Sequence, residues 1–363
     1  MSIPFSEEEL TIVGKHVQGH GKPDIVAYKY PVTEKEATKA FFDHKPIWAI
    51  LETERIYFNP RIVPDLVARG LVNEAMPFDK DSMAGGSDDF GIEWVWEPEV
   101  GGSMERPGSE FMDDANDWRD LVKFPDVDSW DWEASAKENA DYLDTDKYVQ
   151  MWIPNGWFER LISFMGFEDA AVALVDDEQE DAIDELLMAI SDMYIDIIDH
   201  VHKHYGGKVD GFYIHDDWGS QKDSFFHPDV VRAHIVPAMR KVTDHIHELG
   251  LGAEMHSCGM NEKQIENYIA AGWDVWSPQV MNDRVRLFKE YGDKIAICVP
   301  GTPYPEGASE EEQRAAARAW VNEFCRKPGM TAGFCKYDGG LLLGAYREEL
   351  YVQSRKAYAA WGE

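Results

Sequence analysis

The stretch Gly252-Ala253-Glu254-Met255-His256-Ser257-Cys258-Gly259 sets an imidazole and a thiol two residues apart at the end of a short apolar run. The run and the glycine that stops it read as a strand passing into a loop. Side chains two apart on a strand share a face. His256 and Cys258 could therefore grip one ion through nitrogen and thiolate, the donors that zinc takes at about 2.0–2.1 and 2.3 Å. Taken alone, the pair reads first as a buried thiol beside a hydrogen-bonded histidine. The rest of the chain must supply a third ligand.

Cys335, in Thr331-Ala-Gly-Phe-Cys-Lys-Tyr-Asp338, falls in a late strand that reaches the same mouth if a barrel closes. A His-Cys-Cys set leaves one tetrahedral position open, as catalytic zinc requires. Cys298 competes for that role, but it lies inside the apolar run 295–299 and reads as a small buried hydrophobe. Asp216 and Asp217 close the run Gly211-Phe-Tyr-Ile-His-Asp-Asp-Trp218. Neighbours at a strand end face opposite ways, so only one enters a site. Asp217, the later, is the candidate proton-handling residue, with a loop-ordering carboxylate as the plain alternative. Glu254 shares the face of His256 and is the second catalytic candidate, either orienting the histidine or filling the fourth zinc position. His215 reads as a satisfied core histidine or a supporting donor. Trp94, Trp152, Trp157 and Trp218 gather at predicted loop ends as a candidate aromatic wall for a flat ligand. Ordinary packing is the bland reading for each.

These residues need a scaffold. From Tyr148 the pattern alternates strand and helix, with strands predicted at 148–153, 211–216, 252–257, 274–277, 295–299 and 332–337, and an earlier one at 46–51. Helices are predicted over 34–43, 178–204 (with Asp176 and Asp177 as caps), from Pro228 to Gly250 with a bend at Pro237, from a Ser309–Glu312 capping box to 325, and over 346–360. Repeated βα units spaced about 20–40 residues apart imply a parallel sheet, and a (β/α)8 TIM barrel is the expected α/β fold. One domain over 1–363 is expected, with residues 1–45 as an N-terminal extension and 60–130, rich in Trp and Gly, as a capping excursion. The absence of GxGxxG and Walker loops counts against a nucleotide-binding open sheet. In a barrel, chemistry sits at the C-terminal ends of the strands, where His256, Cys258, Asp217 and Cys335 fall.

The formal net charge of −33 argues against nucleic acid or an anionic membrane as partner, since both would be repelled. Four cysteines in 363 residues do not make a disulfide framework. The N-terminus lacks the pattern of a signal peptide, and no run approaches the roughly 20 apolar residues of a membrane span. A cytoplasmic protein is expected.

Asp216-Asp-Trp-Gly-Ser-Gln221, His227-Pro-Asp229, Pro237 and Glu254-Met-His-Ser-Cys-Gly259 resemble the uroporphyrinogen decarboxylase superfamily, nearest its zinc-dependent, corrinoid-linked methyltransferase branch. The resemblance continues through Asp89-Phe-Gly-Ile-Glu93, Gly272-Trp-Asp274 and Tyr291-Gly-Asp-Lys294, from about residue 45 onward. It implies a (β/α)8 barrel and a zinc site in which the His-x-Cys pair maps onto His256 and Cys258 and the distant cysteine onto Cys335. It also allows a homodimer. The chain departs from the decarboxylase, whose N-terminal arginine motif is replaced by Pro46-Ile-Trp-Ala-Ile-Leu-Glu-Thr-Glu54.

The function this implies is methyl transfer from a small methylated substrate to the Co(I) corrinoid (cobamide) of a partner protein, with zinc as Lewis acid. The chain has no corrinoid-binding Asp-x-His-x-x-Gly signature, so that cofactor is expected on the partner. The aromatic-rich mouth leans toward a methoxylated aromatic donor. The closest rival is a methylcobamide:thiol methyltransferase that binds a thiolate on zinc. Decarboxylase-like activity or a metal-dependent hydrolase stands further off.

Overall fold

The computed structural model describes residues 3–16, 25–62, 68, 70, 72–99, 102–334 and 344–362. Its main sheet takes seven strands in strict chain order: Arg55–Phe58 (β1), Tyr148–Ile153 (β2), Gly211–His215 (β3), Gly252–His256 (β4), Val275–Trp276 (β5), Ala296–Cys298 (β6) and Ala332–Gly333 (β7). Pairing is parallel from β2 to β4 and from β5 to β7. Helices lie between the strands, as in a TIM-barrel-like α/β fold. No described helix is long and apolar enough to cross a membrane.

The chain divides into two compact units, 1–56 with 146–148 and 274–363, and 57–145 with 149–273. In the first, Phe41, Trp48, Ile50 and Tyr148 pack with Val275, Ala296 and Cys298 in one buried cluster. The run 46–51, predicted as a strand, is buried but irregular, and the first strand begins at Arg55 instead. Its backbone donors explain the difference. Ala49 N–H bonds Ser354 Oγ at 3.0 Å and Leu51 N–H bonds Glu54 Oε2 at 3.0 Å, so side chains replace a ladder.

The second unit holds β3, β4 and all of β2 but Tyr148, and these residues are almost all buried, as parallel strands covered on both faces require. The helix Glu180–His204 buries Ile183, Leu186, Leu187, Ile190 and Tyr194 along one stripe. Its N-cap is Gln179, while Asp176 turns the preceding loop by accepting from Glu178 N–H. The Pro228 helix has one turn of π-helix, Val231–Ile235, ahead of Pro237. The wider turn absorbs the missing N–H and ring clash that proline brings.

Within 60–130, Gly86–Ser87, Glu93–Glu97 and Gly102–Glu105 form a three-stranded antiparallel sheet. Asp88 anchors it. Its Oδ1 accepts from Phe90 and Ile92 N–H, and its Oδ2 from Trp94 Nε1 and from Arg160 Nη1 at 2.7 Å. Both members of that ion pair have fully buried side chains. Removing one would leave the other charged and unpaired.

Ser354→Ala should cost about 1–3 kcal/mol, because it strands the buried Ala49 N–H. Urea melts of the variant showing wild-type stability would contradict this account of 46–51.

Candidate metal centre

β3 and β4 run in register, with Tyr213 opposite Glu254 and His215 opposite His256, while Trp152 of β2 lies opposite Tyr213. Alternation puts Trp152, Tyr213, His215, Glu254 and His256 on one face. Their rings make a continuous ladder: Trp152 to His215 at 4.7 Å between centroids, and His215 to His256 at 4.6 Å. Gln150 donates to Glu254 Oε2 at 2.9 Å and so fixes the buried carboxylate beneath the histidine.

Beyond the strand ends the adjacent acids separate. Asp216 N–H still bonds His256 O at 3.0 Å, continuing the ladder by one residue. The Asp216 side chain points to the helix Trp157–Met165. It accepts from Phe158 N–H at 3.1 Å, Glu159 N–H at 3.0 Å and Trp218 Nε1 at 2.8 Å. The helix has Gly156 as its N-cap residue and no cap from its own side chains, so Asp216 caps it from another segment. Gly156 is needed for this approach, since a Cβ there would lie 2.5 Å from both Asp216 Cβ and His215 O.

Asp217 turns the other way, and its Oδ1 accepts Cys258 N–H at 2.6 Å. His256 Nε2 stands 3.4 Å from Cys258 Sγ. One donor atom from each of Asp217, His256 and Cys258 lies within 4.8 Å of the others. Two ligands on tetrahedral zinc, at about 2.0 and 2.3 Å, are separated by about 3.5 Å. The imidazole–thiol spacing matches that value. Oxygen, nitrogen and sulfur donors together suit zinc. The loops behind them are locked. Gly259 has φ +90° and would place a Cβ 2.1 Å from Gly219 O, while Met260 N–H bonds Ser220 O at 2.8 Å. Ser257 Oγ accepts from Trp218 N–H and from Asn261 Nδ2.

Electrostatically the cluster calls for a cation. Burial, and then the Asp217 and Glu159 carboxylates, push the Cys258 thiol far above its ordinary value. Burial, Asp217 and Asp216 likewise raise Glu159 well above the usual carboxylate range. A divalent ion would reverse this and favour the thiolate.

The predicted residues separate into groups. His256, Cys258 and Asp217 come together, with Asp217 as an oxygen donor that the sequence had suggested for proton transfer. Cys335 lies outside the described residues. Cys298 is buried 3.3 Å from Ser277 Oγ, and Cys325 donates to Tyr358 OH, both within the first unit. Trp152 stands in the ring ladder beside His215. Trp94 is tied to Asp88, Trp157 donates to Ser191 Oγ at 2.9 Å, and Trp218 stacks on Tyr268 while donating to Asp216. All three are buried. Sequence reasoning missed Glu159 and the cap formed by Asp216. The only signal was a glycine before an apolar helix with an acid at its third position.

No protein-family model and no curated protein matches the sequence. Among solved structures, a methyltransferase from Methanosarcina mazei superposes with a TM-score of 0.52, covering 89% of this chain and 98% of that one at 11% identity. At that identity the likeness is one of fold.

Gly156→Ala should cost about 1–3 kcal/mol by forcing Asp216 from the helix start; an unchanged melting temperature would contradict the close approach. Burial also gives Asp216 a pH signature, pushing its carboxyl up to about 7 against the pull of its three N–H bonds. A carboxyl raised above its unfolded value of about 3.9 binds its proton first in the folded state. Its contribution to stability is therefore full below about pH 4 and is lost as the pH rises toward 7. Relative to Asp216→Asn, the wild type should lose stability across that range. A difference in denaturant midpoint that stays flat with pH would contradict it.

Proposed function

We propose that this protein is a zinc-dependent methyltransferase that moves a methyl group from a small methylated substrate to the Co(I) corrinoid of a partner protein. The observation that carries the reading is the donor set Asp217, His256 and Cys258, gathered at the ends of two adjacent parallel strands. A fold shared with a methyltransferase supports it. These three residues would hold the zinc, with Cys335 as the proposed further thiolate. When bound, the metal supplies Lewis acidity toward the heteroatom that loses its methyl.

The chain's own residues do the remaining work. Cys258 N–H orients Asp217, and the Met260 N–H bond to Ser220 O ties the two loops together at an approach that Gly259 permits. Gln150 holds Glu254 beneath His256 and so stiffens the face that carries the imidazole. The rings of Trp152 and His215 lie on that face, inclined at 49° to one another, an aromatic lining suited to a methoxylated aromatic. Trp94, Trp157 and Trp218 are committed elsewhere, to Asp88, Ser191 and Asp216. Acid groups crowd the site, which disfavours a polyanionic porphyrinogen. The catalytic task left to the protein is alignment of the methyl with an incoming cobalt, a gain that rests on fixed geometry.

Purified protein should carry about one zinc per chain, and His256→Ala, Cys258→Ser and Asp217→Ala should each weaken zinc binding at least tenfold. With a methoxybenzene and a reduced corrinoid protein, the wild type should produce methylcobamide absorbance, and chelation should abolish it. Methylation of a free thiol from methylcobalamin, with no activity on ethers, would reverse the direction of transfer. Zinc-replete protein inactive in both assays would overturn the reading.

A further inference from the structure

Glu159 is the third residue of the helix Trp157–Met165, the position from which a carboxylate can reach back toward the N-cap N–H of Gly156. Its oxygen Oε2 is buried and has no hydrogen-bond partner among the described residues. A buried acceptor left unpaired is costly and rare, and it calls for an explanation. The residue as a whole is only half-buried, so a ligand can reach its neighbourhood.

Its surroundings indicate what that ligand is. The Glu159 N–H bonds Asp216 Oδ1 at 3.0 Å, and the next residue, Asp217, accepts the Cys258 N–H at 2.6 Å, so Glu159 stands beside the donor set and among its acids. Two other acids near His256 are engaged: Asp217 Oδ1 with the Cys258 N–H, and Glu254 Oε2 with the Gln150 amide. A lone carboxylate oxygen among other acids is complemented by a hydrogen, not by another acceptor.

We propose that Glu159 hydrogen-bonds through Oε2 to the heteroatom from which the methyl leaves and delivers the proton that this atom needs. The inference rests on the methyl-transfer reading and narrows its substrate class to methyl ethers with strongly basic leaving groups, such as alcohols and unactivated phenols. The bond between methyl carbon and ether oxygen breaks, and its electron pair stays on oxygen. The Co(I) lone pair of the corrinoid forms the new Co–C bond, and cobalt is formally oxidised to Co(III). The oxygen takes the proton from Glu159 Oε2 and departs as the alcohol or phenol. Glu159, now a carboxylate, regains a proton from water.

Glu159→Gln keeps the length of the side chain and an oxygen for the Gly156 N–H, but cannot give up a proton. Zinc content and melting temperature should stay at wild-type values. With an unsubstituted methoxybenzene, kcat should fall about 10²–10⁴-fold, the usual range for a lost general acid, with little change in KM. The loss should shrink steadily as nitro groups make the leaving phenoxide a weaker base. Glu159→Asp, still an acid, should recover part of the rate on the poorest leaving groups. Full activity of Glu159→Gln, or an equal loss for every leaving group, would overturn the role of Glu159 while leaving methyl transfer intact. A zinc-loaded wild type inactive on every ether would overturn both.

Discussion

A carboxylate shut away from water, that of Asp216, is the constraint on which the site depends. It sits one residue past the end of β3, where its backbone still belongs to the ladder with His256, and its side chain takes two N–H groups from the start of the Trp157–Met165 helix. Strand end and helix start are thereby pinned to one side chain. With Asp216 turned outward to the helix, Asp217 is left facing Cys258. Gly156 permits the contact, and Gly219 and Gly259 bring the next two loops equally close. Three glycines thus exchange side chains for the short distances that place the donors.

The electrostatic consequence is a concentration of acidic groups around a buried imidazole. Asp217, Asp216 and Glu159 each lie close enough to disturb a neighbour, and burial magnifies every such effect. Acid clusters of this kind are tolerated where a cation or a transferable proton offsets them. The two proposals divide that work. Asp217, His256 and Cys258 answer to the cation, and Glu159 to the proton.

Much of the scaffold was legible in the sequence because parallel strands buried on both faces leave uninterrupted apolar runs. The strand Tyr148–Ile153 was read with its observed bounds, and β3 and β4 to within one residue. The run 46–51 misled because burial and strand geometry are separate things: its apolar residues are interior, while side chains satisfy its backbone. At the site, alternation correctly implied that Asp216 and Asp217 diverge, and the His-x-Cys spacing pointed to a shared face. Which tryptophans stand near His256 could not be read, because Trp157 and Trp218 owe their burial to Ser191, Tyr268 and Asp216, which are distant along the chain or across a turn. Glu159 was hidden for another reason. An acid at the third position of a helix is so common a cap that its residue type carries no signal of a second role.

The central claim is that a His256 nitrogen, the Cys258 sulfur and an Asp217 carboxylate oxygen share a single ion. X-ray absorption at the zinc edge of the metal-loaded protein tests it most directly. The account predicts a sulfur shell at about 2.3 Å together with nitrogen and oxygen at about 2.0–2.2 Å, the sulfur contribution reduced in Cys258→Ser and the oxygen in Asp217→Ala. A zinc environment without sulfur, or one that neither substitution alters, would contradict it.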